Sequence, residues 1–129
     1  MPRLLKVTGA VEASLILGLV WATWHLPLFW TEGSSLYGSS VLVLFLRLPA
    51  TSIIFTWLFQ RTKGSLLLAI LFHAALNLFG PAPGSDSLQV PLIGVAVQWA
   101  VALVLIPQAR RLHVEHWGSA GLAAADTSV

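Results

Sequence analysis

The stretch Val20-Trp21-Ala22-Thr23-Trp24-His25-Leu26-Pro27-Leu28-Phe29-Trp30 decides how the rest of this chain is read. It closes an apolar run that begins near Val11, which predicts a membrane-spanning helix over residues 11–29. An imidazole in hydrocarbon is costly, and ionisable residues inside spans face a bundle interior, pair, or do chemistry. Pro27 lacks the N–H that would serve the Thr23 carbonyl, and its ring crowds that oxygen, so a kink beside His25 is predicted. A carbonyl freed at that depth needs water or a protein donor, and His25 is therefore expected to line a polar cavity. Ala10, Ser14, Gly18 and Ala22 recur every fourth residue, a small-residue stripe that lets a second helix approach closely. Ala22 and His25 are one turn apart, so the stripe turns His25 toward that neighbour and away from lipid.

Composition extends the same reading to the whole chain. The 129 residues are 57% hydrophobic and 9% charged, whereas soluble domains carry about 25% charged residues. The apolar residues fall in four blocks separated by Gly, Pro, Ser and charge. The predicted fold class is all-α, a polytopic membrane protein with four transmembrane helices in an up-down bundle. The spans are placed at residues 11–29, 40–59, 65–79 and 88–107, which makes residues 1–107 a transmembrane core. Residues 108–129 are polar and small and are predicted to be a disordered tail. The second span holds Arg47 and Pro49, and the third holds His73 and Asn77. In the fourth, Gly94, Gln98 and Ala102 repeat at four-residue spacing, another packed face. Residues 31–39 and 80–87, rich in Gly, Ser and Pro, read as connectors. Without cysteine the chain has no disulfide and no thiolate metal site.

The basic residues come in pairs at span ends. Arg3 and Lys6, Arg61 and Lys63, and Arg110 and Arg111 fall on one side of an up-down bundle, and the two opposite loops hold none. The positive-inside rule then puts both termini in the cytoplasm. Pairs so dispersed make no nucleic-acid surface, and membrane lipid is the expected surrounding. A signal peptide is a poor account of the start, because the first apolar run is too long and has no small-residue cleavage site.

His73 and Asn77 are four apart and project from one helix face. Interhelical hydrogen bonding is the plain alternative for such a pair. At ~1.5 Å per residue, His25 and Asn77 lie at ~20 Å from the cytoplasmic end, His73 at ~14 Å and Arg47 near ~20 Å. The three residues His25, His73 and Asn77 are thus expected to converge on one cavity, with facing side chains within roughly 10 Å; histidine rings more than about 15 Å apart would remove the shared site. Arg47 either joins them or snorkels outward. A catalytic zinc takes three protein ligands and an open position, and no Asp, Glu or Cys shares the histidine layer. Glu12 sits at the end of the first span as an interfacial partner for Lys6, while Glu32 and Asp86 lie in connectors. No cofactor and no metal site is expected, a divalent ion held by the two histidines being the alternative. The same gap leaves no carboxylate to act as general base. His113 and His116 read as a solvated helix end.

These residues resemble two motifs of the CPBP family, the CAAX-protease and bacteriocin-processing intramembrane endopeptidases also called the Abi family. One motif is an aromatic residue, three others and a histidine, here Trp21 and His25, followed by Leu26-Pro27-Leu28. The next is a histidine, three others and an asparagine, here His73 and Asn77. The resemblance covers about residues 1–107. The family's first motif, a Glu-Glu pair followed three residues later by Arg, has no match in the 129 residues. In the family it lies just before a Pro-Arg-Leu-like stretch, and this chain begins Met1-Pro2-Arg3-Leu4. The resemblance therefore implies the carboxy-terminal half of an intramembrane endopeptidase of a prokaryotic plasma membrane. It implies hydrolysis of membrane-associated peptide or protein substrates, including CAAX-type carboxy termini. His25 and His73 would orient or polarise the attacking water and Asn77 would steady the oxyanion, with Trp21 and Arg47 in support. With the activating glutamates missing, the chain alone is expected not to cleave peptides. Two other readings stand beside this one: a catalytically inactive membrane module serving as an immunity or scaffold subunit, and a transporter or channel fragment lined by Arg47, Gln98 and the histidines.

Overall fold

The computed structural model describes the backbone of residues 8–79 and 89–126, with the side chains of residues 8–78 and 90–112. The described residues form helices joined by turns and contain no strand. Helix α1 (Ala10–Trp24) leads into a short 3-10 turn (Leu26–Phe29), followed by α2 (Val41–Arg61), α3 (Leu66–Phe79) and α4 (Gln89–Asp126). The second and third predicted spans match α2 and α3 to within two residues at each end.

Helix α2 is the centre, with α1 and α4 packed against it and α3 leaning on it more lightly. The small-residue stripe explains the first contact: Ala10, Ser14, Gly18 and Ala22 are all buried. A Cβ at Gly18 would sit 2.5 Å from Pro49 Cα and 3.0 Å from the Leu48 carbonyl oxygen, so the two backbones touch where only hydrogen fits. One turn earlier, Ser14 Oγ bonds to the Ala10 carbonyl at 2.6 Å and to Thr56 Oγ1 at 2.7 Å, which satisfies two hydroxyls inside the interface. On the other side Ala102 of α4 is buried with Ala50 and Ile53. Pro49 breaks the hydrogen-bond ladder of α2, and in that turn the Trp99 indole of α4 donates to the Leu46 carbonyl at 2.8 Å. Helix α2 ends in a Schellman-type turn: Gly64 N–H donates to the Phe59 carbonyl at 2.8 Å, with Lys63 and Gly64 at φ of 52° and 88°.

Two boundaries differ from expectation. The span predicted over residues 11–29 is an α-helix only to Trp24. There the His25 N–H bonds to the Ala22 carbonyl at 3.1 Å, and Leu28 N–H follows with a bond to the His25 carbonyl at 3.0 Å. Pro27 thus opens a tighter turn and does not kink a continuous helix. At the other end α4 runs through Pro107 to Asp126, so the tail predicted to be disordered from residue 108 is helical to 126. Proline removes one intrahelical bond, and packing on its far side holds the helix in line. Ala109 is 1% exposed, clustered with Ala10, Ala13 and Trp57, and Trp57 Nε1–H donates to Gln108 Oε1 at 3.2 Å. Arg3, Lys6, the predicted pairing of Lys6 with Glu12, the connector 80–87 and the side chains of His113 and His116 lie outside the described residues.

Two helical segments, Val41–Arg61 and Val90–Leu112, are long and apolar enough to cross a membrane. Helix α1 has 15 residues and α3 has 14, roughly 22 and 21 Å at ~1.5 Å per residue, short of a ~30 Å hydrocarbon core. Of the four predicted spans, those of α2 and α4 thus have the length and apolar character to cross a membrane. Only 11% of the apolar segment of α4 is buried, and Leu66, Leu67 and Ile70 of α3 are exposed. Apolar surface on that scale needs cover from lipid or protein.

Candidate active site

The end of α1 positions the first imidazole. The His25 N–H turns to Ala22, and the His25 ring takes the carbonyl one residue earlier, with Nδ1 2.8 Å from the Trp21 oxygen. A carbonyl only accepts, so Nδ1 carries the proton of that bond. In the neutral ring this leaves Nε2 with its lone pair as a bare acceptor. The Trp21 carbonyl thus loses its usual backbone donor at the helix end, and the imidazole itself satisfies it. The loop beyond the 3-10 turn is tied by hydroxyls: Thr31 Oγ1 donates to the Pro27 carbonyl at 2.9 Å and Ser34 Oγ to the Leu28 carbonyl at 2.6 Å. Leu36 N–H then donates to Ser34 Oγ at 3.1 Å, which fixes the adjoining residues at the mouth of a cavity.

That cavity, of about 530 Å³, lies between α1, α2, α3 and the loop. Trp21, His25, Arg47, His73 and Asn77 all line it. Helix α2 contributes Leu44, Arg47, Leu48 and Thr51, the i, i+3, i+4, i+7 face of a helix. Arg47 faces inward, which decides between the two orientations left open by sequence. Trp21 stands between the histidines, its ring centroid 6.1 Å from His25 and 5.4 Å from His73. The two imidazoles are therefore no further apart than those two distances combined, inside the ~15 Å that a shared site between packed helices allows.

Phe55, which sequence reasoning passed over, closes the aromatic cluster beneath them. Its ring is 5.8 Å from Trp21, 6.2 Å from His73 and 5.0 Å from Phe72. The signal was present as four-residue spacing: Arg47, Thr51 and Phe55 share one face of α2. Ser35 and Leu36 also line the cavity, and no periodicity in a loop could have announced them.

His25 and His73 are half-buried and Asn77 is exposed. Among the described residues the side chains of His73 and Asn77 make no hydrogen bond, so no bond supports a role as interhelical glue. Their polar atoms are available to a ligand. Together the groups supply two nitrogen bases, an amide that both donates and accepts, and a guanidinium. The described residues bring no cluster of three His, Cys, Asp or Glu that could hold a metal ion. Two histidines fall one short of the three ligands of a catalytic zinc.

Comparison with known proteins identifies the family. The profile of the family described as type II CAAX prenyl endopeptidase, Rce1-like, matches residues 1–79. A curated relative, "CAAX prenyl protease 2" of Methanococcus maripaludis, is 34% identical over 73 residues, covering 52% of this chain and 27% of the relative. The chain thus spans about a quarter of the length of that relative. No solved structure matches.

Proposed function

The chain belongs to the Rce1-like type II CAAX prenyl endopeptidase family, and from that premise we propose that its core forms one side of an intramembrane peptide-hydrolysing site. The observation that carries this reading is the single cavity shared by His25, His73 and Asn77. In the reaction a water attacks the scissile carbonyl, and a base must take its proton. His25 Nε2 and the His73 ring hold and orient that water, and the Asn77 amide N–H donates to the oxygen of the tetrahedral intermediate. Trp21 keeps the two imidazoles apart and aligned. The activating carboxylate comes from a Glu-Glu-x-x-x-Arg segment not contained in these 129 residues. By the name of the Methanococcus relative, the substrate class is membrane-associated protein carboxy termini of CAAX type.

The test compares two proteins on a prenylated CAAX peptide in phospholipid nanodiscs: the 129-residue chain, and the same chain preceded by a Glu-Glu-x-x-x-Arg segment. Only the second is expected to cleave. Cleavage by the 129 residues alone, lost on His73→Ala, would mean that the cavity holds its own base. No cleavage by either would favour the inactive membrane module.

The same reading places all four helices in the membrane. The short α1 and α3 are tolerated there because non-helical backbone at membrane depth can line a water-filled cavity. Both termini and the α2–α3 turn, which holds Lys63, lie on the cytoplasmic face. Ser35 and Lys63 are exposed, so single cysteines at these positions report the sidedness. In intact cells an impermeant thiol reagent should label position 35 and spare position 63. The opposite pattern inverts the topology.

A further inference from the structure

We propose that Arg47 anchors a free peptide carboxylate, so that the cavity takes its ligand by the carboxy terminus; this deepens the endopeptidase reading and rests on it for the identity of the peptide. Arg47 is half-buried and lines the same cavity as His25, Leu44 and Asn77. Among the described residues its guanidinium has no hydrogen-bond or ion-pair partner. The described carboxylates stand elsewhere: neither Glu12, in the first turn of α1, nor Glu32, in the exposed loop, lines the cavity. A cation withdrawn from water without a partner is costly, and an anionic ligand relieves that cost. The planar fork of arginine matches a carboxylate with two parallel N–H donors, and its charge persists at any working pH.

Distance along α2 fits the same occupant. Arg47 and Phe55 are eight residues apart on one face, roughly 12 Å at ~1.5 Å per residue. The Phe55 ring packs against His73 at 6.2 Å. An extended peptide rises ~3.3 Å per residue, so a few residues bridge from the guanidinium to the imidazoles. The cavity volume of about 530 Å³ lies within the roughly 300–1,000 Å³ of small-ligand sites, which suits a chain end better than a folded surface. A lipid phosphate is the competing anion. That Arg47 lines the same cavity as both histidines favours the peptide.

The full chain in phosphatidylcholine nanodiscs should be titrated with a fluorescent apolar tetrapeptide ending in a free carboxylate, and with the same peptide ending in a carboxamide. The carboxylate form should bind on the order of tenfold tighter, the usual scale for a charge-assisted bond. Arg47→Gln should bring the two affinities together, and Arg47→Lys should keep part of the difference. Equal affinities in the native chain would overturn the proposal without any variant having to fold, as would a preference that survives Arg47→Gln. Loss of the preference in phosphatidylglycerol nanodiscs would assign Arg47 to lipid headgroups and also overturn it. Carboxylate-selective binding with no cleavage by the extended protein would sink the endopeptidase reading and leave the anchor standing. Cleavage without selectivity would do the reverse.

Discussion

Replacing Gly18 by leucine is expected to abolish the native fold, and replacing it by alanine to lower the thermal midpoint in detergent by several degrees. The reason is local and severe. A Cβ at position 18 lands 2.5 Å from Pro49 Cα and 2.9 Å from Pro49 N, both backbone atoms of a central helix. Backbone cannot swing aside as a side-chain tip can, so α1 and α2 must separate. That separation strips contacts from Ser14 and Ala22 on the same stripe, and overpacking of this kind costs about 1–3 kcal/mol or more. Alanine adds only the Cβ, whereas leucine drives three further carbons into the same backbone contact, which is why the smaller variant is the milder one. Val20→Leu, on the exposed side of the same helix, adds bulk without this contact and serves as the control. A Gly18→Leu protein that melts with the Val20→Leu control would show that the close approach is not a determinant of the fold. The same displacement would carry Trp21 and His25 away from α3, so the cavity would be lost with the packing.

His25→Asn should separate the two jobs of the imidazole. The asparagine amide nitrogen takes the place of Nδ1 and can still donate to the Trp21 carbonyl, the bond now seen at 2.8 Å. Nothing replaces Nε2. In the protein extended by the glutamate segment, His25→Asn is expected to keep its melting temperature and lose about 10²–10⁴-fold in hydrolysis, the range for an acid–base group. His25→Gln places its amide nearer the Nε2 position and leaves the Trp21 carbonyl unserved. Its stability should fall by about 1–3 kcal/mol, the cost of an orphaned acceptor. If His25→Asn hydrolyses peptide at the native rate, the ring acts only as a helix cap, and the proposed chemistry would pass to His73.

How far the site was legible follows from what each residue depends on. His73 and Asn77 share a face because helical periodicity is a local property of the chain, and depth counting placed His25 with them because rise per residue is constant. Arg47 was undecided at that level. A long side chain on a helix reaches either way, and what turns it inward is the opening between α1, α2 and α3, a feature that no single segment contains. Phe55 was missed for a related reason, since an aromatic residue in an apolar helix has no distinguishing mark until His73 and Trp21 are brought against it.

By itself, the sequence determined the helical class, the limits of α2 and α3, and the stripe on α1 that finds Pro49. Hydrophobic length, small-residue spacing and turn chemistry are written in neighbouring residues. Only the tertiary structure decided where α1 stops, how far α4 runs, and which groups face the cavity. Pro27 was read as a kink, yet the bond from the His25 ring to the Trp21 carbonyl helps close the helix before it. Pro107 was read as an end, yet Trp57 reaches Gln108 from α2 and carries the helix past it. A proline removes one donor wherever it stands. Whether the chain then bends, tightens or continues depends on the contacts that the rest of the fold brings to that turn.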